Sequence, residues 1–180
     1  MAKTQWMMHT KRADFTEIGQ RFSISPITAR IIRNRDVVGD KAIEQYLCGT
    51  VRDLYDPDLL PDMDRAVDIL KEKIANRAKI RIVGDYDIDG VCSTYILLCA
   101  LEEAGACRDY EIPDRVKDGY GINEAIIRAA AADGIDTILT CDNGIAAVEQ
   151  IRLAKELGMT VIVTDHHDIQ KTESGEDVLP

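Results

Sequence analysis

At residue 78 the hydrophobic pattern of the chain changes its period. Beyond it, short apolar runs ("IRIV", "YEI", "DTILT", "TVIVT") alternate with longer stretches whose apolar residues recur at helical spacing ("VCSTYILLCALEEAG", "NEAIIRAAAADG", "IAAVEQIRLAKELG"). The short runs show no internal polar alternation, so each reads as a strand buried on both faces. Such strands, separated by amphipathic helices, predict an α/β fold: a mainly parallel sheet with helices on both faces. In a sheet of that kind, ligands collect beyond the carboxyl ends of the strands.

The preceding residues read as helical. Ser25-Pro26 supplies an N-cap and a proline at the first helical position for "ITARIIRNR". Asp40 is the expected cap of "KAIEQYLCG", with Gly49 as its stop. From Asp62 onward, Met63, Val67, Leu70 and Ile74 keep one apolar face. The expected division is a helical N-terminal segment over 1–78 and the sheet-bearing domain over 79–180.

With 180 residues, 46% of them hydrophobic, the chain is long enough to bury one core. No stretch approaches the roughly 18 apolar residues of a membrane span, and "MAKTQWMMHTKRADF" lacks the apolar run of a secretory leader. The expectation is a cytoplasmic protein with no membrane partner. Five cysteines (Cys48, Cys92, Cys99, Cys107, Cys141) form no C-x-x-C pair and suggest neither a disulfide framework nor a zinc knuckle. They read as reduced, mostly buried, small apolar residues. Charge is uneven: residues 1–50 carry a net +3 and residues 51–180 a net −13. Proteins hold phosphate backbones with basic surface, and the sheet-bearing part is acidic. "RIIRNR" could touch phosphates or form a solvated helix face.

The strand ends carry the chemistry. The first run leads into "GDYDIDG", the third into "CDNGI" and the last into "DHHD". Parallel strands bring Asp87, Asp89, Asp142, His166 and His167 to one edge. The spacing of Asp85, Asp87, Asp89 and Gly90 also opens a calcium loop of the EF-hand type. That loop needs a glutamate at its twelfth position, which is Ile96, and a helix in front, where a strand is expected. Three carboxylates in one turn repel one another by roughly 1 to 4 kcal/mol per pair and call for a cation. Carboxylates with imidazole and no thiolate suit manganese, with magnesium or zinc as alternatives. The number of ligands fits two ions sharing a carboxylate, at a usual separation of ~3.5 to 4 Å. The chemistry implied is metal-dependent phosphoester hydrolysis.

"DYDIDG", "CDNG" and "TDHH" resemble, in order, the first three motifs of the DHH phosphoesterase superfamily. "LYDPDLLPDMDRAVDIL", "VGDYDIDG" and "IPDRVKDGYGIN" resemble its RecJ-type branch of single-stranded-DNA-specific exonucleases, and the similarity runs from about residue 30 to 168. The resemblance implies that Asp87, Asp89 and His166 are metal ligands, that Asp142 is the bridging carboxylate, and that His167 is the catalytic contact with the scissile phosphate. It implies lesser metal-site roles for Asp85 and Asp165, which would orient ligands and fix imidazole tautomers. Arg115 would contact a substrate phosphate, and Asn143 and Gly144 would shape the turn. The expected cofactor is Mn2+, with Mg2+ as alternative, two ions in the complete enzyme. The expected substrate is single-stranded DNA, degraded from its 5′ end in DNA repair and recombination, with replication or repair proteins as partners.

A fourth aspartate motif and a second domain, both part of the family pattern, are not in "GEDVLP" or before it. Asp168 and Asp177 lie too near the DHH to stand in, so an N-terminal fragment of a longer enzyme is expected. A DHH phosphodiesterase acting on nanoRNA or cyclic dinucleotides, or a pyrophosphatase, is the alternative within the family. Those relatives carry a histidine where this chain has Val83. Outside it stand a phosphoacceptor receiver domain, which leaves His166 and His167 unexplained, and a non-catalytic scaffold of the same fold.

Overall fold

The computed structural model describes residue 7 and residues 11–180, and divides into two compact units, residues 1–59 and 60–180. Most of the amino-terminal stretch that was read for a leader lies outside the described residues. The first unit contains helices α1 (Phe15–Phe22), α2 (Pro26–Asn34) and α3 (Asp40–Cys48), followed by two single turns of 3-10 helix. Asp14 caps α1 by accepting from the N–H groups of Thr16 and Glu17. Ser25 caps α2 through Thr28 N, with Pro26 at the first helical position. Arg30 of α2 lies over the Phe15 ring at 4.4 Å.

The cap expected at Asp40 is corrected by the structure. Gly39 occupies the cap position with φ +88°, a conformation that disfavours any side chain. Asp40 is already helical, and its carboxylate is gripped by Arg21 at 2.6 and 2.8 Å.

The second unit opens with α4 (Met63–Ala75) and continues through β1 (Lys79–Val83), α5 (Ile88–Glu103), β2 (Cys107–Glu111), α6 (Glu124–Ala132), β3 (Thr137–Cys141), α7 (Val148–Glu156) and β4 (Thr160–Thr164). A small antiparallel hairpin follows, β5 (Gln170–Lys171) with β6 (Asp177–Val178). The change of period at residue 78 marks β1, while the compact unit begins a helix earlier. The reason is that α4 packs Ala66, Ile69, Leu70 and Ile74 against the sheet. Its inward face is therefore turned slightly from the expected one, and Val67 stays 37% exposed.

The four main strands are all parallel, in the order β2-β1-β3-β4. Alternation along the strands separates two cores. Val83 and Ile138 pack with Ile126, Ile127 and Ala130 of α6 and Ala154 of α7. Ile80, Ile82, Leu139 and Ile162 face the other way, onto α4 and onto Leu97, Leu98 and Leu101 of α5. Each such aliphatic side chain, fully buried, contributes roughly 1.5 to 3 kcal/mol. Arg81, between the inward-facing residues of β1, is held by Asp109 at 2.6 and 2.9 Å and by Asp133 at 3.0 Å.

All five cysteines are free, but only Cys141 is buried, which corrects the expectation that most would be. Cys92 and Cys99, seven residues apart, share the outward side of α5, and Cys107 opens the edge strand β2. No helix among the described residues is long and apolar enough to cross a membrane.

The strand order fixes where a site can form. From β1 the chain proceeds outward to β2, and from β3 it proceeds in the opposite direction to β4. Neighbouring connections thus part between β1 and β3, and a crevice opens there beyond their carboxyl ends.

Candidate metal centre

The turn after β1 forms one wall of the crevice. Gly84 continues the ladder by donating to Glu111 O at 3.1 Å, and Asp85 follows with only 1% of its surface exposed. Its Oδ1 is buried with no hydrogen-bond partner. Asp87 caps α5, accepting from Gly90 N at 3.0 Å. That bond, opposed by desolvation, holds the Asp87 carboxyl below the usual carboxylate range. Gly90 is required by closeness: a Cβ there would lie 2.4 Å from the Asp85 carbonyl oxygen. Asp89 lies exposed in the first turn of α5, beside the other carboxylates.

The end of β3 supplies the centre. Asp142 has φ +60°, a left-handed conformation costing roughly 1 kcal/mol that marks a constrained site. It is 8% exposed, and burial, with Asp87 adding to it, pushes its carboxyl above the usual range despite His166. Asn143 is completely buried. Its amide donates to Val83 O and Cys141 O, both at 2.9 Å, and its Oδ1 accepts from Ile122 N at 3.2 Å. One side chain thereby ties β1, β3 and the loop before α6 together. Gly144 turns the chain with φ +113°, where a Cβ would also meet Thr140 Oγ1 at 2.7 Å.

Asp165 organises the histidines after β4. Its carboxylate accepts from Ile145 N at 2.9 Å, His166 N at 2.8 Å, His167 N at 3.1 Å and His167 Nδ1 at 2.7 Å. Desolvation raises the Asp165 carboxyl, but these donors outweigh it and leave it below the usual range. The same Nδ1 bond pushes the His167 imidazole above its ordinary value. His166 Nε2 lies 2.9 Å from Asp142 Oδ1.

The loop after β2 brings a fourth contribution. Asp114 and Asp118 close its turn, with Asp114 accepting from Val116 N and Lys117 N and Asp118 from Asp114 N. Arg115 sits over the Tyr86 ring at 5.0 Å, Tyr86 meets Tyr120 edge-on at 6.5 Å, and Tyr120 meets His167 at 5.6 Å. The Tyr120 hydroxyl donates to Asp142 O at 3.0 Å and lies 3.1 Å from His167 Nδ1. Burial and the surrounding carboxylates push this phenol up to about 12, so it stays neutral.

Two sets of side chains bring ligand atoms within 4.8 Å of one another: Asp85, Asp87 and Asp142, and Asp142, His166 and His167. Asp142 is common to both. The donor set, carboxylate oxygens and imidazole nitrogens without thiolate, fits a divalent cation, and the orphaned Asp85 oxygen is what such an ion would satisfy. Asp89 belongs to neither tight set, and Arg115 stands at the far end of the aromatic row. Among the described residues, Asp168 and Asp177 are in neither set either, and Asp177 pairs with Lys171 at 3.2 Å in the hairpin. Sequence reasoning missed Tyr120 and the tying role of Asn143. The available signal for Tyr120 was a lone aromatic between two glycines in the segment after a strand end.

Residues 79–179 match the DHH family, N-terminal domain. The chain belongs to the DHH family. Among relatives, it is similar to the single-stranded-DNA-specific exonuclease RecJ of Bacillus subtilis (strain 168), 38% identical over 93% of this chain and 21% of the relative. RecJ of Escherichia coli (strain K12) is 34% identical over 80% of this chain and 24% of its own length. Two solved structures share the fold. Exonuclease RecJ bound to manganese has a TM-score of 0.59 and 37% identity over 63% of this chain and 29% of that one. RecJ from Thermus thermophilus in complex with Mn2+ has a TM-score of 0.55 and 28% identity over 88% of this chain and 22% of that one. This DHH chain thus spans about a fifth of the length of the Bacillus relative.

Proposed function

We propose that the chain is the metal-binding part of a RecJ-type exonuclease that hydrolyses single-stranded DNA from the 5′ end, in the cytoplasm, during DNA repair and recombination. The observation that carries this reading is the sharing of Asp142 by two sets of ligand atoms, the arrangement a two-ion phosphodiesterase needs. Asp85, Asp87 and Asp142 would hold one ion, Asp142 and His166 the other, with Asp89 beside them. When bound, the ions would supply Lewis acidity toward water and the phosphoryl oxygens. Manganese is favoured by the mixed oxygen and nitrogen donors and by the ion named in both structural neighbours.

The remaining steps belong to the chain's own residues. His167 is held through Nδ1 by Asp165, and its Nε2, 3.3 Å from the Tyr120 hydroxyl, is the ring atom that would meet the scissile phosphate. Its raised pKa keeps it protonated further toward neutral pH, suited to stabilising charge or giving a proton to the leaving oxygen. Tyr120, tied to the Asp142 carbonyl, steadies the same ring. Arg115 would take a neighbouring substrate phosphate in a bidentate grip. Against the nanoRNA and cyclic-dinucleotide alternative stands Val83, which is fully buried in the α6 and α7 core where that branch carries its histidine.

The test is titration calorimetry of the chain with manganese chloride, and a nuclease assay of the longer protein on a 5′-labelled oligonucleotide. Binding that vanishes in Asp142→Ala, with release of nucleotides from the 5′ end, is the expected result. Hydrolysis of cyclic dinucleotides or pyrophosphate with no nuclease activity would move the assignment to the alternative.

A further inference from the structure

The basic run "RIIRNR", which has no part in the metal centre, closes the second helix of a helix-turn-helix in the first unit. Helices α1 and α2 are joined by three residues, 23 to 25, of which Ser23 is left-handed at φ +55°. The N–H groups of Ser23 and Ile24 both donate to Gly19 O, and a Cβ at Gly19 would lie 2.7 Å from Ile24 O. A small residue in the first helix and a left-handed turn thus let α2 fold back closely on α1. Two short helices joined by such a turn are the arrangement that presents a second helix to the major groove of DNA. Ala29 and Ile32 form the inner face of α2, while Ile27 and Ile31 stand outward at 72% and 47% exposure. Residues 11–35 carry six basic side chains against two acidic, in a chain of net charge −10. Arg21 is engaged by Glu17 and Asp40, and Lys11 and Arg33 by Asp36. Arg12 and Arg35 are exposed, and Arg30 lies half-buried over the Phe15 ring.

We propose that α2 enters the major groove of duplex DNA, with Ile27 and Ile31 against the base edges and Arg12, Arg30 and Arg35 meeting phosphates. The groove, about 12 Å wide, admits one α-helix. Cations around the outward face of α2 favour a polyanion as its occupant. A single strand fits less well, because non-specific single-strand sites stack bases on aromatic rings and α2 has none. Phe15, in α1, is half-buried beneath Arg30. Isoleucine offers base edges no hydrogen bond, so sequence preference should be confined to contact with thymine methyl groups. Only about three phosphates would be neutralised, which makes the grip weak, with a dissociation constant on the order of 10 to 100 μM, and its salt dependence shallow. On the nuclease reading this grip would act on the duplex from which the substrate strand emerges, but the binding itself does not depend on that reading.

Fluorescence anisotropy of the 180-residue chain tests this, with a labelled duplex of about 20 base pairs and with one of its strands alone, in chelator at about 50 mM salt. The duplex should bind at least about threefold more tightly than the single strand. Ile27→Glu should weaken duplex binding about tenfold, because it brings a carboxylate against the groove. Ile27→Arg should strengthen it at least about threefold, a gain that misfolding cannot produce. Tyr95→Arg, at an exposed position of α5, alters net charge equally and should leave duplex affinity within about twofold. Equal binding of duplex and single strand, no response to the Ile27 variants, or an equal gain in Tyr95→Arg overturns the proposal. So does a dimer in sedimentation that Ile27→Glu dissociates without changing DNA affinity, which would make this face a protein interface.

Discussion

Asp85 and Asp142 are buried and share a cluster of carboxylates, which His166 joins at Asp142. On the proposed reading each would serve a bound cation as a ligand while costing the metal-free fold, so stability and affinity should respond oppositely to their removal. Asp85→Asn should leave the metal-free chain as stable or more so, by about 1 kcal/mol or roughly 2 to 4 °C in melting temperature, because a buried charge with an orphaned oxygen is removed. The same variant should lose most of the manganese-induced rise in melting temperature. Scanning calorimetry with and without the ion separates the two effects, and a variant that is destabilised yet binds normally would remove Asp85 from the ligand set. The histidine pair gives a pH signature. His167 is raised above 6.5 chiefly by Asp165, so its stabilisation is complete below pH 6.5 and is lost as pH climbs through the raised value. Asp165 sits below 3.8, so its contribution is complete above that pH and is lost as pH falls through the lowered value. Both are fully present between about pH 4 and 6.5. Proton NMR in chelator should show His167 titrating above 6.5 in the chain and falling back toward it in Asp165→Asn.

The elements themselves were largely legible, because a strand buried on both faces and an amphipathic helix leave different periods in the sequence. What escaped was the behaviour of residues with two duties. α5 reads as starting near Val91, whereas it begins at Ile88, since Asp87 is both a carboxylate of the candidate metal centre and the helix cap. Asp40 reads as a cap because its type suits one, but a positive φ gives that place to Gly39 and Arg21 claims the carboxylate. Cys92 and Cys99 read as core because burial statistics for the residue type ignore an apolar helix face left uncovered. Asn143 is a further case: its three bonds hold the ends of β1 and β3 and the loop at Ile122, and none is visible in the chain order. Asn143→Ala should cost about 2 to 4 kcal/mol, since it strands two carbonyls and one N–H in the interior. Urea unfolding checks this, and a loss under about 1 kcal/mol would mean the junction is held by the sheet alone.

For the molecule as a whole, the strand-end site could be read from sequence because parallel strands deliver every loop to one edge, so residues far apart in the chain needed only their topology to be placed together. Catalytic competence is a different matter. The chain has a net charge of −10, and the turn after β2 offers two basic side chains, Arg115 and Lys117. Non-specific affinity for single strands comes from neutralised phosphates and stacked bases, so the short chain should hold DNA weakly and, with few phosphates neutralised, respond only shallowly to added salt. The aromatic row of Tyr86 and Tyr120 leads toward His167, but the cleft beside α5 remains open to solvent. Weak substrate binding and an incompletely enclosed metal centre act on separate steps and should roughly compound, so that a tenfold deficit in each gives about a hundredfold in kcat/KM. The chain is thus expected to bind manganese yet degrade a 5′-labelled single strand at least about a hundred times more slowly than the longer protein, at low and moderate ionic strength alike, since few neutralised phosphates leave little affinity for low salt to recover. A parallel time course of the two proteins at 20 and 150 mM salt measures both quantities. Equal rates would place a complete active site within these 180 residues, with Asp168 the first residue to test as the missing ligand.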